Sequence, residues 1–144
     1  ILPGLTWLWQ GDHFSGGAQA TGRIHLDDNE YGYSYGDSVD GTTWLAYRLT
    51  DWASLSGRLT LGWEDDIDGE DVRFRGQRMA PPMDPDNFGG TWLDLGLGVN
   101  LMAPSSLLKG QRLAFEAMLP IYQDLNGPQM PQEWSFVVGW NVTF

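Results

Sequence analysis

Six charged residues have types and spacing that suggest chemistry. Arg23, Arg48, Arg58, Asp94, Arg112 and Glu116 each occupy the polar position of a stretch in which apolar and polar residues alternate. Alternation with period two sends all side chains of one parity to one face of a strand. Guanidinium and carboxylate groups gathered on such a face either line a polar passage, whose Arg residues guide an anionic or aromatic solute, or pair with one another as a structural network. A second constellation is the acidic run EDDIDGED at 64–71. Its hard oxygens suit Ca²⁺, with Asp66, Asp68 and Glu70 as candidate ligands. It is not an EF-hand, because the twelfth position counted from Glu64 is Arg75 where that loop needs Glu. The same run also reads as a solvated loop, or as one bridged to lipopolysaccharide by divalent ions. His13 and His25 could act only with Ser34 or Ser38, and nothing in the spacing fixes a triad. No catalytic residue and no cofactor is therefore expected, and the chain is not read as an enzyme.

Composition narrows the class. The 144 residues carry 19 acids against 8 bases, a net charge of −11, so the basic footprint that nucleic acid requires is missing. Cysteine is absent, which removes disulfides and thiolate chemistry. No apolar run approaches the roughly 20 residues of a transmembrane helix. The sequence opens at Ile1 and reads as a mature or excised segment. After Arg78 the only bases are Lys109 and Arg112, few for a soluble surface.

The elements that must position the charged groups are strands. In EWSFVVGWNVTF one parity reads Trp134, Phe136, Val138, Trp140, Val142, Phe144, and the other Ser135, Val137, Gly139, Asn141, Thr143. In TWLDLGLGVNLM, Leu93, Leu95, Leu97, Val99 and Leu101 oppose Asp94, Gly96, Gly98 and Asn100. The same pattern runs through 111–122 and 54–63, and more weakly through 41–50, 16–26 and 3–10. These make seven expected strands in one domain spanning 1–144. Residues 71–78 are a possible eighth, opposed by Arg73, Arg75 and Arg78.

The links alternate in length. Residues 11–16, 51–53 and 103–110 are short links, and 27–40, 64–90 and 123–132 are long ones. Bacterial outer-membrane barrels have short periplasmic turns and long extracellular loops. With the last strand ending in the periplasm at Phe144, the links sort in that order. Fifteen of the 19 acids then fall in or beside the long links, which leaves the strands nearly free of charge.

Alternation alone fits a soluble barrel with a buried apolar face or a membrane barrel with that face in lipid. Most expected strands match the roughly 9–11 residues of a tilted spanning strand. Trp63, Trp92 and Trp134 gather at one set of strand ends, and Trp9, Trp52 and Phe144 at the other, as in an interfacial aromatic belt, though Trp92 has the polar parity and fits the rim by height only. The polar parity is rich in Gly, Ser and Thr, as a crowded lumen would be. Gly62, Gly96, Gly98 and Gly139 share it, either widening a pore or making room for neighbouring Arg and Trp. The three-residue turn expected at 51–53 sets Ser56 opposite Arg48 and makes Arg58 its diagonal neighbour. Asp94 and Glu116 are then too few to neutralise the four Arg residues, so a positive inner wall is expected.

GQRLAFEAMLPIYQDLNGPQ, NEYGYSYGDS (29–38), the DW of LTDWAS, IDGED (67–71) and DPDNFGGTWLDLGLGVN (84–100) resemble a bacterial outer-membrane β-barrel family. Its members are described as transporters linked to the meta-pathway of phenol degradation. The likeness covers most of the chain and matches only the C-terminal part of such proteins. It implies an all-β, antiparallel up-and-down transmembrane β-barrel, seven or eight of whose strands lie here as part of a larger barrel. The terminal aromatic resembles the signal read by the barrel-assembly machinery. The resulting expectation is a Gram-negative outer-membrane channel or transporter for small aromatic or anionic solutes. Its partners would be outer-membrane lipid and lipopolysaccharide, with acidic loops extracellular and the C-terminus periplasmic. A structural or docking barrel that carries no solute, and a soluble lipocalin-like ligand binder, remain the other readings.

Overall fold

Runs of alternating apolar residues, rich in Leu, Val and aromatics and bounded by Gly and Asp, favour extended backbone with one face to bury. A computed structural model describes residues 1–74, 76, 80–103 and 110–142 of the chain. The long strands are β1 (Gly4–Gln10), β2 (Phe14–Arg23), β4 (Ser38–Arg48), β5 (Ala53–Glu64), β7 (Gly90–Met102), β8 (Gln111–Leu125) and β9 (Ser135–Val142). They form one seven-stranded sheet in chain order, with every neighbouring pair antiparallel. Two short strands, β3 (Tyr33–Ser34) and β6 (Asp68–Gly69), pair separately within the long links. Turns of 3-10 helix at Pro81–Met83 and Pro85–Asn87 follow in the longest link.

The expected strands are therefore present, with shifted ends. The second runs Phe14–Arg23, so Ile24 and His25 lie beyond it. Of the possible eighth strand at 71–78, the described part is not extended: Val72–Phe74 is a turn, and Arg75 and Arg78 lie outside the described residues. Phe144 and most of the 103–110 link also lie outside them.

Cross-strand partners share a face, so the register tests every parity assignment. One row reads Trp44, Arg58, Gly96, Met118, Ser135 across five strands. The next reads Leu45, Gly57, Leu97, Ala117, Phe136 on the opposite face. The polar and apolar parities stay separate throughout. One irregularity lies between β7 and β8, where Leu93 pairs with Tyr122 and Asp94 with Pro120. Ile121 is the extra residue of this bulge, beside a Pro that has no N–H to give the ladder. The bulge returns Gln123 to the polar face, opposite Trp92.

The sheet curls around its polar face. A single cavity of about 300 Å³ touches Gln10 on β1 and Arg112 on β8. Those strands would stand ~24 Å apart in a flat sheet. Burial agrees with this curvature. Among the described residues no hydrophobic side chain is buried, whereas Ser38 and Asp94, both on the polar face, are 4% and 7% exposed. On the apolar face Leu97 is 64% exposed, and Val138 and Trp140 are each 66% exposed. The described residues thus form no oily core.

β1 and β9 are the two edges of the sheet and do not pair with each other. In an antiparallel succession of seven, the first and last strands run in the same direction. The described residues therefore form an open, strongly curved wall.

Candidate functional site

On the concave face, glycines make room for large neighbours. A methyl group at Gly62 would overlap the Trp92 indole, and one at Gly17 would lie 2.5 Å from Trp44 Cζ2. Trp92 thus packs on the polar face over Gly62, the face that its parity in the sequence gives it. A Cβ at Gly96 would stand 2.6 Å from Glu116 Oε1, and one at Gly98 would stand 2.5 Å from Ser56 Oγ. Gly139 is different, since its nearest neighbour would be Ala114 Cβ at an ordinary 3.8 Å.

Arg58 Nε lies 2.7 Å from Glu116 Oε1. The N–H does not point along that line, so the contact is an ion pair without an aligned hydrogen bond. It spans β7 above Gly96. Arg112 donates from Nη2 to Asn100 Oδ1 at 2.6 Å. Arg48 lies opposite Ser54, because Leu49 N–H donates to the Ala53 carbonyl and the turn proper is Thr50, Asp51 and Trp52. The expected register is thereby corrected by two residues. Arg58 faces Trp44 and is not the diagonal neighbour of Arg48. Arg23 stands at the other end of the face, opposite Ser38.

The expected positive wall is corrected as well. β4 and β5 extend far enough to carry Asp40 and Glu64 onto the polar face. Arg23, Arg48, Arg58 and Arg112 are then balanced by Asp40, Glu64, Asp94 and Glu116. The charges are unevenly placed. Asp40, Glu64 and Asp94 lie toward the long links, and Arg48 and Arg112 toward the short turns. Asp94 has no hydrogen-bond or ion-pair partner among the described residues, and Thr60 lies opposite it on β5.

The three long links are tied together at one end. Tyr33 pairs with Gly69, and Asp65 N–H donates to the Asp37 carbonyl. Asn126 Nδ2 donates to Asp66 Oδ1 at 2.6 Å, and Gln129 Nε2 to the Gly89 carbonyl at 2.6 Å. Gly69 of IDGED, Gly89 of FGG, and Asn126 and Gln129 of NGPQ take part, so those motifs act as loop fasteners. Gly89 adopts φ +74°, and a side chain there would meet the Glu64 and Asp65 carbonyls. Arg73 bonds Asp71 from Nη2 at 2.6 Å and lies 3.8 Å above the Tyr31 ring. The Arg73 hydrogen bond holds the Asp71 carboxyl below its ordinary range.

The proposed calcium ligands do not converge. Asp66 is taken by Asn126, Glu70 accepts the Gly76 N–H at 3.0 Å, and Asp68 lies in β6. Among the described residues no three carboxylate or imidazole groups form a metal-holding cluster. His25 Nδ1 lies 3.9 Å from Asp37 Oδ1, too far for a hydrogen bond. No described serine hydroxyl bonds either histidine.

Sequence reasoning brought six charged groups to one face but missed Asp40 and Glu64, which looked like loop residues. It also missed Asn126 and Gln129 as fasteners, for which the only signal was their place in a Gly-Pro turn. Comparison with protein-family models, with curated proteins and with solved structures found no match to this chain.

Proposed function

We propose that this chain forms part of the wall of a bacterial outer-membrane β-barrel that passes small solutes. One observation carries the reading: the convex face exposes its large apolar side chains, Leu97, Val138 and Trp140 among them, whereas the concave face carries the charged groups, with Ser38 and Asp94 buried on it. A membrane barrel has that arrangement, with lipid outside and water within. A lipocalin-like binder has the reverse, since its concave side holds the apolar groups. Strands β4, β5, β7 and β8 have 11 to 15 residues, enough to span at a tilt.

Closure follows from strand direction. An antiparallel wall closes only with an even number of strands, so seven require an odd number more. In the membrane those further strands would satisfy the free edges of β1 and β9, whose unpaired backbone groups are costly in hydrocarbon. The fastened long links would then form the extracellular rim, and lipopolysaccharide would surround it.

The test is conductance of the full-length protein in planar bilayers. Discrete steps are expected. A folded, membrane-inserted protein that never conducts would favour a structural or docking barrel.

A further inference from the structure

The cavity of about 300 Å³ lies on the concave face at the short-turn end. Arg48, Ser54 and Asn100 form one cross-strand row in it, and Arg112 enters from the next row. No carboxylate of the described residues comes within 4.0 Å of the Arg48 or Arg112 guanidinium. Glu116, the acid nearest Arg112 on its own strand, is engaged by Arg58. Arg112 occupies Asn100 Oδ1, which leaves the Asn100 amide hydrogens and the Ser54 hydroxyl as donors.

We propose that this cavity is a subsite for a small organic monocarboxylate. Two guanidinium groups that line one cavity, neither with an acid partner among the described residues, can each donate to a carboxylate oxygen, Arg112 with the N–H groups that Asn100 does not take. Asp12 and Asp51 also line the cavity, and their carboxylates repel a second negative charge on the ligand, which favours a monoanion over a dianion. Trp52 and Met102 supply an apolar side for the carbon chain. The proposal rests on the reading that the concave face is the water-filled one. It adds a solute class and a place for it, at the short-turn mouth.

The experiment is calorimetric titration of butyrate into the full-length barrel in zwitterionic micelles, with n-butylammonium and inorganic phosphate as comparison probes. Saturable butyrate binding is expected, stronger than for either comparison probe. Arg48→Gln and Arg112→Gln should each weaken it about tenfold, as for loss of one charge-assisted contact. Arg73→Gln, in the longest link at the opposite end of the molecule, should leave it unchanged. Arg48→Lys and Arg112→Lys keep the charge and should retain part of the affinity, which covers the case of a Gln variant that does not fold. Unchanged binding in the Arg48→Gln/Arg112→Gln double variant overturns the proposal, as does preference for phosphate or n-butylammonium, or absence of saturable binding. Binding without conductance keeps the subsite and removes solute passage. Conductance without butyrate binding does the opposite.

Discussion

Arg58 on β5 and Glu116 on β8 meet across the intervening strand, Nε to Oε1 2.7 Å, above Gly96. Their backbones are two strand spacings apart, about 10 Å. Only long side chains on an inward-curling face, with no side chain between them, close that gap. The pair also cancels the central charge of the polar face.

Breaking the pair from either side should have opposite electrical effects. In a conducting full-length barrel, Glu116→Gln should move the reversal potential toward anion preference and Arg58→Gln toward cation preference. The double variant should return close to the original value. Stability should change by about 1 kcal/mol or less in each, since both side chains are partly exposed. Shifts of the same sign in the two single variants would show that the residues act separately.

Gly96 and Gly139 share a face but differ in the space above them. Gly96→Val places atoms between Arg58 and Glu116 and should cost roughly 1–3 kcal/mol, the usual range for overpacking. Gly139→Ala meets only Ala114 at 3.8 Å and should change stability by less than about 0.5 kcal/mol. Urea unfolding midpoints of the refolded full-length barrel would measure both.

The faces were legible in the sequence because a period of two needs no tertiary information. Leu93, Leu95, Leu97 and Asp94, Gly96, Gly98 could separate in no other way once the segment was extended. Relations set by turns and loops were not legible. The Thr50–Trp52 turn admits several registers with the same parity, and the observed one removes Arg58 from beside Arg48. The two-residue pairing of Tyr33 and Ser34 with Asp68 and Gly69 is too short to leave a pattern. The Ile121 bulge had one signal, Pro120 within an otherwise regular strand. The Arg58–Glu116 pair had another, glycines on the polar parity of the strand between them.

The long links should loosen together when their fasteners are removed. Asn126→Ala deletes the bond to Asp66 and should cost about 1 kcal/mol of local stability. Cleavage within 65–89 by protease added to intact cells should then accelerate ~5-fold, since cutting follows the open population. An unchanged rate would mean that the loop opens independently of the Asn126–Asp66 contact.

Acid should act on the longest link through Asp71. Its folded carboxyl titrates below the ordinary value, chiefly because Arg73 hydrogen-bonds it. The contribution is fully present above the ordinary carboxylate value and is lost as pH falls through the lowered one. Amide exchange at Val72–Phe74 should therefore stay slow through mild acid and rise only below that range. In Asp71→Asn, exchange should already be fast at neutral pH and show no such acid step. A step at the same pH in Asp71→Asn would assign the titration to another group.

The placement of the apolar face in lipid is tested most directly by nitroxide accessibility in the full-length protein reconstituted in bilayers. Spin labels at Leu97→Cys, Phe136→Cys and Val138→Cys should collide with oxygen and be shielded from a water-soluble nickel chelate. Labels at Ser135→Cys, Gly139→Cys and Asn141→Cys, on the concave face, should show the reverse. Period-two alternation between the two relaxers is the predicted result. Chelate access at 97, 136 and 138 equal to that at 135, 139 and 141 would contradict the membrane-wall reading.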